Sequence, residues 1–407
     1  MIEHTRAHEY AGPMAAERTG PLPDVKVVDL TQALAGPYCT MLLADMGADD
    51  LHVGEVEAPR GDMPRFNPPF LDDDEDKFYG GYFASINRNK RGVVLDLKEP
   101  ADIEKLLGLL ADADVLVENF KAGVMERLGL SWEMLHERFP KLIYACIRGF
   151  GDPRSGASPY ADWPAFDIVA QAMGGVVSCT GEDVDHRVAA GPSIGDLYPA
   201  TMCALGVLGA LHHARATGEG QFVDVGMADA VMALCESVTW RYSYNGEVQA
   251  PRGAEHPSLT PFTVYPTADG HCAIAAPLPA QWEVVCDELE RPDLVTDERS
   301  KTTRRRSDNR DWINGIMTEW TTRHTTAEIV EILGGRVPVG PVNDGPALFQ
   351  SEHVKARSML VEVPHPGSQR TVVMPNTPVR YSATPTGVYR RPPKLGEHQQ
   401  ELFGEEA

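Results

Sequence analysis

From Val25 onward the chain alternates short β-branched runs with amphipathic stretches, and this alternation restricts the fold more than any other feature of the sequence. VKVVDL (25–30) is followed by Gly36-Pro37 and a helical stretch, YCTMLLADMG, that stops at Gly47. GVVLDL (92–97) precedes ADIEKLLGLLADA, and DVLVENF (114–120) precedes VMERLGL and WEMLHERF. KLIYACIRGF (141–150) is a further apolar strand. Strands spaced by such helices predict right-handed crossovers, hence an α/β domain with an open, mainly parallel sheet. Ligands are expected at the carboxyl ends of its strands.

The 407 residues exceed what one core usually holds, so a second domain is expected. Residues 1–24 read as a tail or an N-terminal arm laid over a neighbour, 25–225 as the large domain and 226–246 as a linker. The turn-rich stretch that begins PRGAEHPSLTPFTVYPTADGHCAIAA opens a smaller α+β domain over 247–345, with T-A-D-G as a hairpin turn. Residues 346–407 return to the large domain. Between them, 60–83 is rich in Pro, Gly and Asp, and the five acids within 72–77 read as a solvated loop.

A net charge of −22 opposes binding to nucleic acid, whose phosphates would be repelled. Only 10 of the 37 basic residues are Lys, and an acidic, lysine-poor surface suits a high-salt cytoplasm. The seven cysteines are scattered and never spaced C-x-x-C, as expected of reduced cytoplasmic thiols, and no H-E-x-x-H occurs, so no metal is expected. The first 23 residues lack the apolar core of a secretory signal, and no apolar run of membrane-spanning length is expected.

The most informative segment is AAGPSIGDLYPATMCALGVLGALHHARATGEGQFVDVGMADAVMAL (189–234). Small residues among larger apolar ones in LYPATMCALGVLGALHH predict a tightly packed helix, with Asp196 at its head as N-cap. A carboxylate there is also expected to be ionised at neutral pH and accessible, able to act as a nucleophile without a general base. Gly191-Pro192-Ser193-Ile194-Gly195 matches the G-x-S-x-G elbow of serine hydrolases, so hydrolysis through a Ser193 nucleophile is the alternative. That elbow needs a strand directly before the serine, and His186-Arg187-Val188 followed by Gly and Pro is a poor one.

Seven segments in order resemble family III CoA-transferases, the group that includes formyl-CoA transferases, carnitine CoA-transferases and acyl-CoA racemases. They are DLTQALAGPYCTMLLADMGAD, GDMPR, NRNKRGVVLDLK, DVLVENFKAGVMERLGL, FDIVAQAMGG, the Asp196 segment with TGEGQFVDVGM, and VPVGPVND. The resemblance implies that Asp196 carries CoA as an aspartyl thioester formed by way of a mixed anhydride. No cofactor is then required, coenzyme A thioesters being substrates. It also implies that Leu34, Ala35, Leu95, Lys98, Asn119, Arg127 and Arg148 hold the CoA moiety. A local positive field for the CoA phosphates is expected from Arg88, Lys90, Arg91, Lys98, Arg127 and Arg148.

Racemases of the family have a His directly before the Asp that is here Asp167, and Phe166 replaces it, so one base of a two-base proton shuttle is missing. The four-glycine run of formyl-CoA transferases is absent, and Glu55 and Glu57 stand where a Lys or Arg is expected. Within the family the chain resembles the dicarboxylate users that take CoA from succinyl-CoA, including the succinyl-CoA:mesaconate transferases of halophiles, with Arg65, Arg154, Arg241 or Arg252 as candidates for a second carboxylate. The implied assembly is an interlocked homodimer whose large domain is Rossmann-like, with small-molecule acyl-CoA and carboxylic acid as partners and no membrane.

Overall fold

The computed structural model describes residues 11–48 and 53–404, the side chains of 53–55 excepted. Residues 1–10 of the expected arm and the side chain of Glu55 therefore lie outside the described residues. The chain divides into two compact units: one holds residues up to 176, 189–246 and 349 onward, the other 177–188 and 247–348.

The first unit is built on β1 (Val27–Asp29), α1 (Ala35–Asp45), β2 (Val53–Glu57), α2 (Gly81–Ile86), β3 (Arg91–Val94), α3 (Pro100–Leu110) and β4 (Val115–Glu118). It continues with α4 (Val124–Arg127), α5 (Trp132–Arg138), β5 (Ile143–Arg148), α6 (Asp167–Met173), α8 (Ile194–Thr217) and β6 (Phe222–Gly226), whereas α7 (Val176–Cys179) lies at the boundary and belongs to the other unit from Val177. The strands run parallel in the order β3-β2-β1-β4-β5-β6. The order reverses beside β1, so the loops after β1 and β4 part there and leave a crevice. Strands buried on both faces explain the near-continuous apolar runs. Val27, Val115, Val117, Ile143 and Ala145 face the α1 and α8 side, whereas Val28, Leu116, Tyr144 and Cys146 pack against residues of α3 and α5.

Helix α8 buries Ala200, Cys203, Ala204, Val207, Ala210 and Leu211, a stripe at three- and four-residue spacing that lies on α1, β5 and β6. By length and composition alone α8 could cross a bilayer, contrary to the expectation that no stretch could, but this packing marks it as the core helix of its unit. The expected linker 226–246 is instead two helices, α9 (Met227–Leu234) and α10 (Glu236–Asn245), grouped with the first unit because α9 packs on α6 and α8.

The second unit has an antiparallel sheet, β7 (Phe262–Pro266), β8 (His271–Ala275) and β9 (Val339–Pro341), with 267–270 as the turn between β7 and β8. Helices α11 (Pro279–Glu288), α12 (Thr303–Asp308), α13 (Arg310–Thr321) and α14 (Thr326–Leu333) accompany it, and Trp282, Ile313, Met317 and Ile329 form its core. After α15 (Gly345–Phe349) and α16 (Glu352–Ala356), the hairpin β10 (Leu360–Pro364) and β11 (Thr371–Pro375) and helix α17 (Gln399–Phe403) complete the first unit.

Two segments outside the sheets are tied down locally. The described part of the arm is tied to its own chain, Gly12 donating to the Leu360 carbonyl at 3.1 Å and Ala15 to Val388 at 2.8 Å. Within the acidic run Asp72, Asp73, Glu75 and Asp76 are exposed, as expected of a solvated loop, and Asp74 alone is buried, its carboxylate accepting the Tyr79 N–H.

Candidate active site

The loop after β1 is fixed from both sides. Asn119, just past β4, accepts the Gln32 N–H at 2.8 Å and donates to the Gln32 carbonyl at 2.7 Å. The Asp62 carboxylate accepts the Ala33 N–H at 3.1 and 3.2 Å, which holds Ala33 at φ +66°, a conformation that costs a residue with a Cβ. Gly36 allows α1 to start at once, since a Cβ there would lie 2.2 Å from Thr31 Cβ. Burial raises the Asp62 carboxyl to about 6, against the opposing N–H of Ala33.

At these strand ends lies a cavity of about 310 Å³. Leu34 and Ala35 line it from the start of α1, Asn119 and Lys121 from the end of β4, Arg148 from β5, and Asp196 from α8. Tyr82 of α2 and the exposed rings of Trp163 and Phe166 complete the wall.

Asp196 is not the N-cap. Ser193 holds that place, and Asp196 is the third helical residue, its N–H donating to the Ser193 carbonyl at 3.0 Å. Nor is its carboxyl at an ordinary carboxylate value. Burial first, and the neighbouring Asp167 carboxylate second, raise it to about 7, outweighing the pull of the helix N-terminus. Asp167 opens α6; its Oδ1 accepts the Gly195 N–H at 2.7 Å. A Cβ on Gly195 would meet the Asp167 carbonyl oxygen at 2.4 Å, so only glycine allows the approach. The Tyr82 phenol is pushed up to about 12 by burial and by Asp196, Asp62 and Asp167, and so stays a neutral donor at any physiological pH.

No strand precedes Ser193: residues 188–193 are irregular, and the serine elbow lacks its scaffold.

The seven residues expected around CoA part company. Leu34, Ala35, Asn119 and Arg148 share the cavity with Asp196. Leu95 is core, buried beside Leu106 and Leu110; Lys98 and Arg127 are exposed and do not line the cavity. The expected positive field is largely spent on the fold. Arg88 pairs with Asp45 at 2.7 Å, Lys90 with Asp29 at 2.8 Å and Arg91 with Glu401 at 2.6 Å. Arg148, with its side chain 3 % exposed, is held by Glu118 at 2.7 Å and by Asp152. Each buried cation needs such a partner, since an unpaired one would be costly to desolvate. Among the candidates for a second carboxylate, Arg65 is buried against Glu57, and Arg154 is shared by Glu126, Glu133 and Asp152. Lys121, absent from every expectation, is exposed at the cavity and has no ion pair among the described residues.

A parallel sheet with a cavity at its switch point, and a buried carboxyl near the head of a core helix, define an α/β protein with a ligand site at its strand ends. The chain belongs to CoA-transferase family III, whose family model matches residues 22–399. It is similar to the succinyl-CoA:mesaconate CoA-transferases of Haloarcula hispanica (44 % identity) and Haloarcula marismortui (45 %), each over 95 % of this chain and 96 % of the relative. The succinate–glutarate CoA-transferase of Agrobacterium fabrum is 33 % identical over 95 % of this chain and 96 % of its own. Among solved structures, a CAIB/BAIF family protein from Brucella suis superposes with a TM-score of 0.83 at 32 % identity, covering 94 % of this chain and all of that one.

Proposed function

We propose that this CoA-transferase moves CoA from succinyl-CoA to a dicarboxylic acid of the mesaconate type by way of Asp196. The observation that carries the reading is the carboxyl of Asp196, facing the cavity and raised to about 7 by burial and by Asp167. A carboxylate whose charge is poorly solvated beside a like charge gains when acylation removes that charge.

An Asp196 oxygen attacks the thioester carbonyl, the C–S bond breaks, and CoA leaves as thiolate from a mixed anhydride. The thiolate then attacks Cγ of Asp196, expelling the donor acid as its carboxylate and leaving an aspartyl-CoA thioester. The acceptor carboxylate runs the two steps in reverse, freeing Asp196 and forming the new acyl-CoA. Tyr82, neutral throughout, is the donor that a cavity with so much negative charge can offer to an anionic group. Lys121 supplies the countercharge for the second carboxylate of a dicarboxylic acyl group. The relatives named for succinyl-CoA with mesaconate and for succinate with glutarate support a dicarboxylate reading.

An interlocked homodimer belongs to the same reading. Helix α10 buries none of its own residues, and its Trp240, Tyr242 and Tyr244 are exposed, which supports a second copy covering that face.

Incubation with succinyl-CoA and hydroxylamine tests the chemistry. The expected result is a hydroxamate on Asp196, lost in Asp196→Ala and kept in Ser193→Ala. Turnover that survives Asp196→Ala and dies with Ser193→Ala would overturn it.

A further inference from the structure

Of the segment GDMPR (61–65) only Met63 reaches the cavity wall, yet Asp62 and Arg65 are both buried behind it. Their common anchor is Glu57 at the end of β2, whose Oε2 accepts the Asp62 N–H at 2.8 Å and the Arg65 Nε–H at 2.6 Å. So fixed, Asp62 turns its carboxylate to the loop after β1, where both oxygens accept the Ala33 N–H. Ala33 is the residue of that loop that needs holding. Asn119 fixes Gln32 on one side and α1 begins at Ala35 on the other, and the chain doubles back so tightly that Gly36 lies against Thr31. The reversal sets Ala33 at φ +66°, a conformation that glycine adopts readily and alanine does not. An alanine stays there only if its surroundings over-determine it. What the turn presents is the start of α1: Leu34 and Ala35 line the cavity, and the Leu34 N-cap supplies no side-chain hydrogen bond to the first turn.

We propose that Asp62 is a positioning residue for CoA binding: through the Ala33 N–H it holds the loop after β1 in the turn that sets Leu34 and Ala35 at the cavity wall. The proposal rests on acyl-CoA being bound in the cavity that Asp196 faces. Without the acceptor, the left-handed conformation of Ala33 becomes a minor state, about tenfold less populated than the ordinary backbone conformations. CoA then binds only the fraction of molecules with the turn in place, and its apparent affinity falls in proportion. The bound complex is the same, so turnover of bound substrate is not affected.

The test measures the Kd for CoA by calorimetric titration, together with kcat and KM for succinyl-CoA, in the full-length enzyme. Asp62→Leu, similar in size but without an acceptor, is expected to raise Kd and KM about tenfold and to leave kcat within about twofold. Asp62→Asn, which keeps one acceptor oxygen, is expected to hold Kd and KM within about threefold of wild type. The diagnostic variant combines Asp62→Leu with Ala33→Gly. Glycine enters the turn unaided, so Kd and KM should return to within about threefold of wild type. General loosening of the fold lowers the binding stoichiometry instead of the affinity, and a glycine does not repair it. An unchanged Kd in Asp62→Leu, or a defect that Ala33→Gly leaves in place, overturns the proposal. Should Asp62→Leu fail to fold, Asp62→Ala with and without Ala33→Gly is judged in the same way, and a loss of about tenfold or more in Asp62→Asn overturns the proposal as well. A wild-type enzyme in which succinyl-CoA and hydroxylamine leave Asp196 unlabelled would instead sink the reading beneath it, and the proposal with it.

Discussion

Asp167 acts on Asp196 in two ways at once: its Oδ1 accepts the N–H of Gly195 at 2.7 Å, one residue before Asp196, and its charge helps raise the Asp196 carboxyl to about 7. Position and reactivity of the proposed nucleophile thus share one cause. The consequence is a carboxylate that titrates in the physiological range.

Transfer should therefore have an acid limb near pH 7, with kcat/KM falling about tenfold per unit below it, because only the ionised Asp196 attacks. A profile measured at fixed ionic strength checks this. A limb near pH 4 would mean that neither burial nor Asp167 governs the group.

Stability carries the opposite signature. Since the folded state holds the Asp196 proton more tightly than the unfolded chain, whose carboxyl stays near 3.8, stability declines as pH rises from about 4 to about 7. Asp196→Asn escapes that loss. Its Tm should exceed wild type's at pH 8, with the gap closing as the pH falls toward 4, readable by scanning calorimetry.

Gly195→Ala should be far more damaging than a methyl group suggests. The new Cβ would press on the Asp167 carbonyl oxygen at 2.4 Å and on Oδ1 at 2.9 Å, forcing α6 and the segment before Asp196 apart. A displacement on the ångström scale predicts a loss of about 10²-fold in kcat with near-normal CoA binding, measured by steady-state kinetics and calorimetric titration.

Lys90→Met separates structure from substrate binding. Asp29 would lose its buried ammonium partner, keeping only the hydroxyls of Thr31 and Thr40 and the Thr31 N–H. Chemical denaturation should register a loss of about 3–5 kcal/mol. The KM for acyl-CoA in the folded fraction should not change, since Lys90 is buried away from the cavity.

Lys121→Met addresses the acceptor. Removing the cation should raise KM for a dicarboxylate about 10- to 100-fold, equivalent to about 1.5–3 kcal/mol, while a monocarboxylate of the same length is barely affected. Equal effects on both acids would place Lys121 on the CoA phosphates.

The sequence by itself determined the sheet and the identity of the proposed nucleophile. Doubly buried strands must be β-branched throughout, and a helix pressed on α1 must carry small residues, so VKVVDL, DVLVENF and the stretch after Asp196 betray their places locally. It could not determine which charges are spent. Arg88, Lys90 and Arg91 look like a basic patch in one dimension, yet Asp45, Asp29 and Glu401 reach them from as far as 310 residues away and neutralise each. The same holds for acidity: Asp196 was expected to be fully ionised because its reference value is low, and burial beside Asp167, 29 residues earlier in the sequence, brings its titration into the physiological range. Secondary structure follows from short-range patterns, whereas desolvation and Coulomb energy depend on which groups the fold brings within a few ångströms. Only the tertiary structure decides those neighbours.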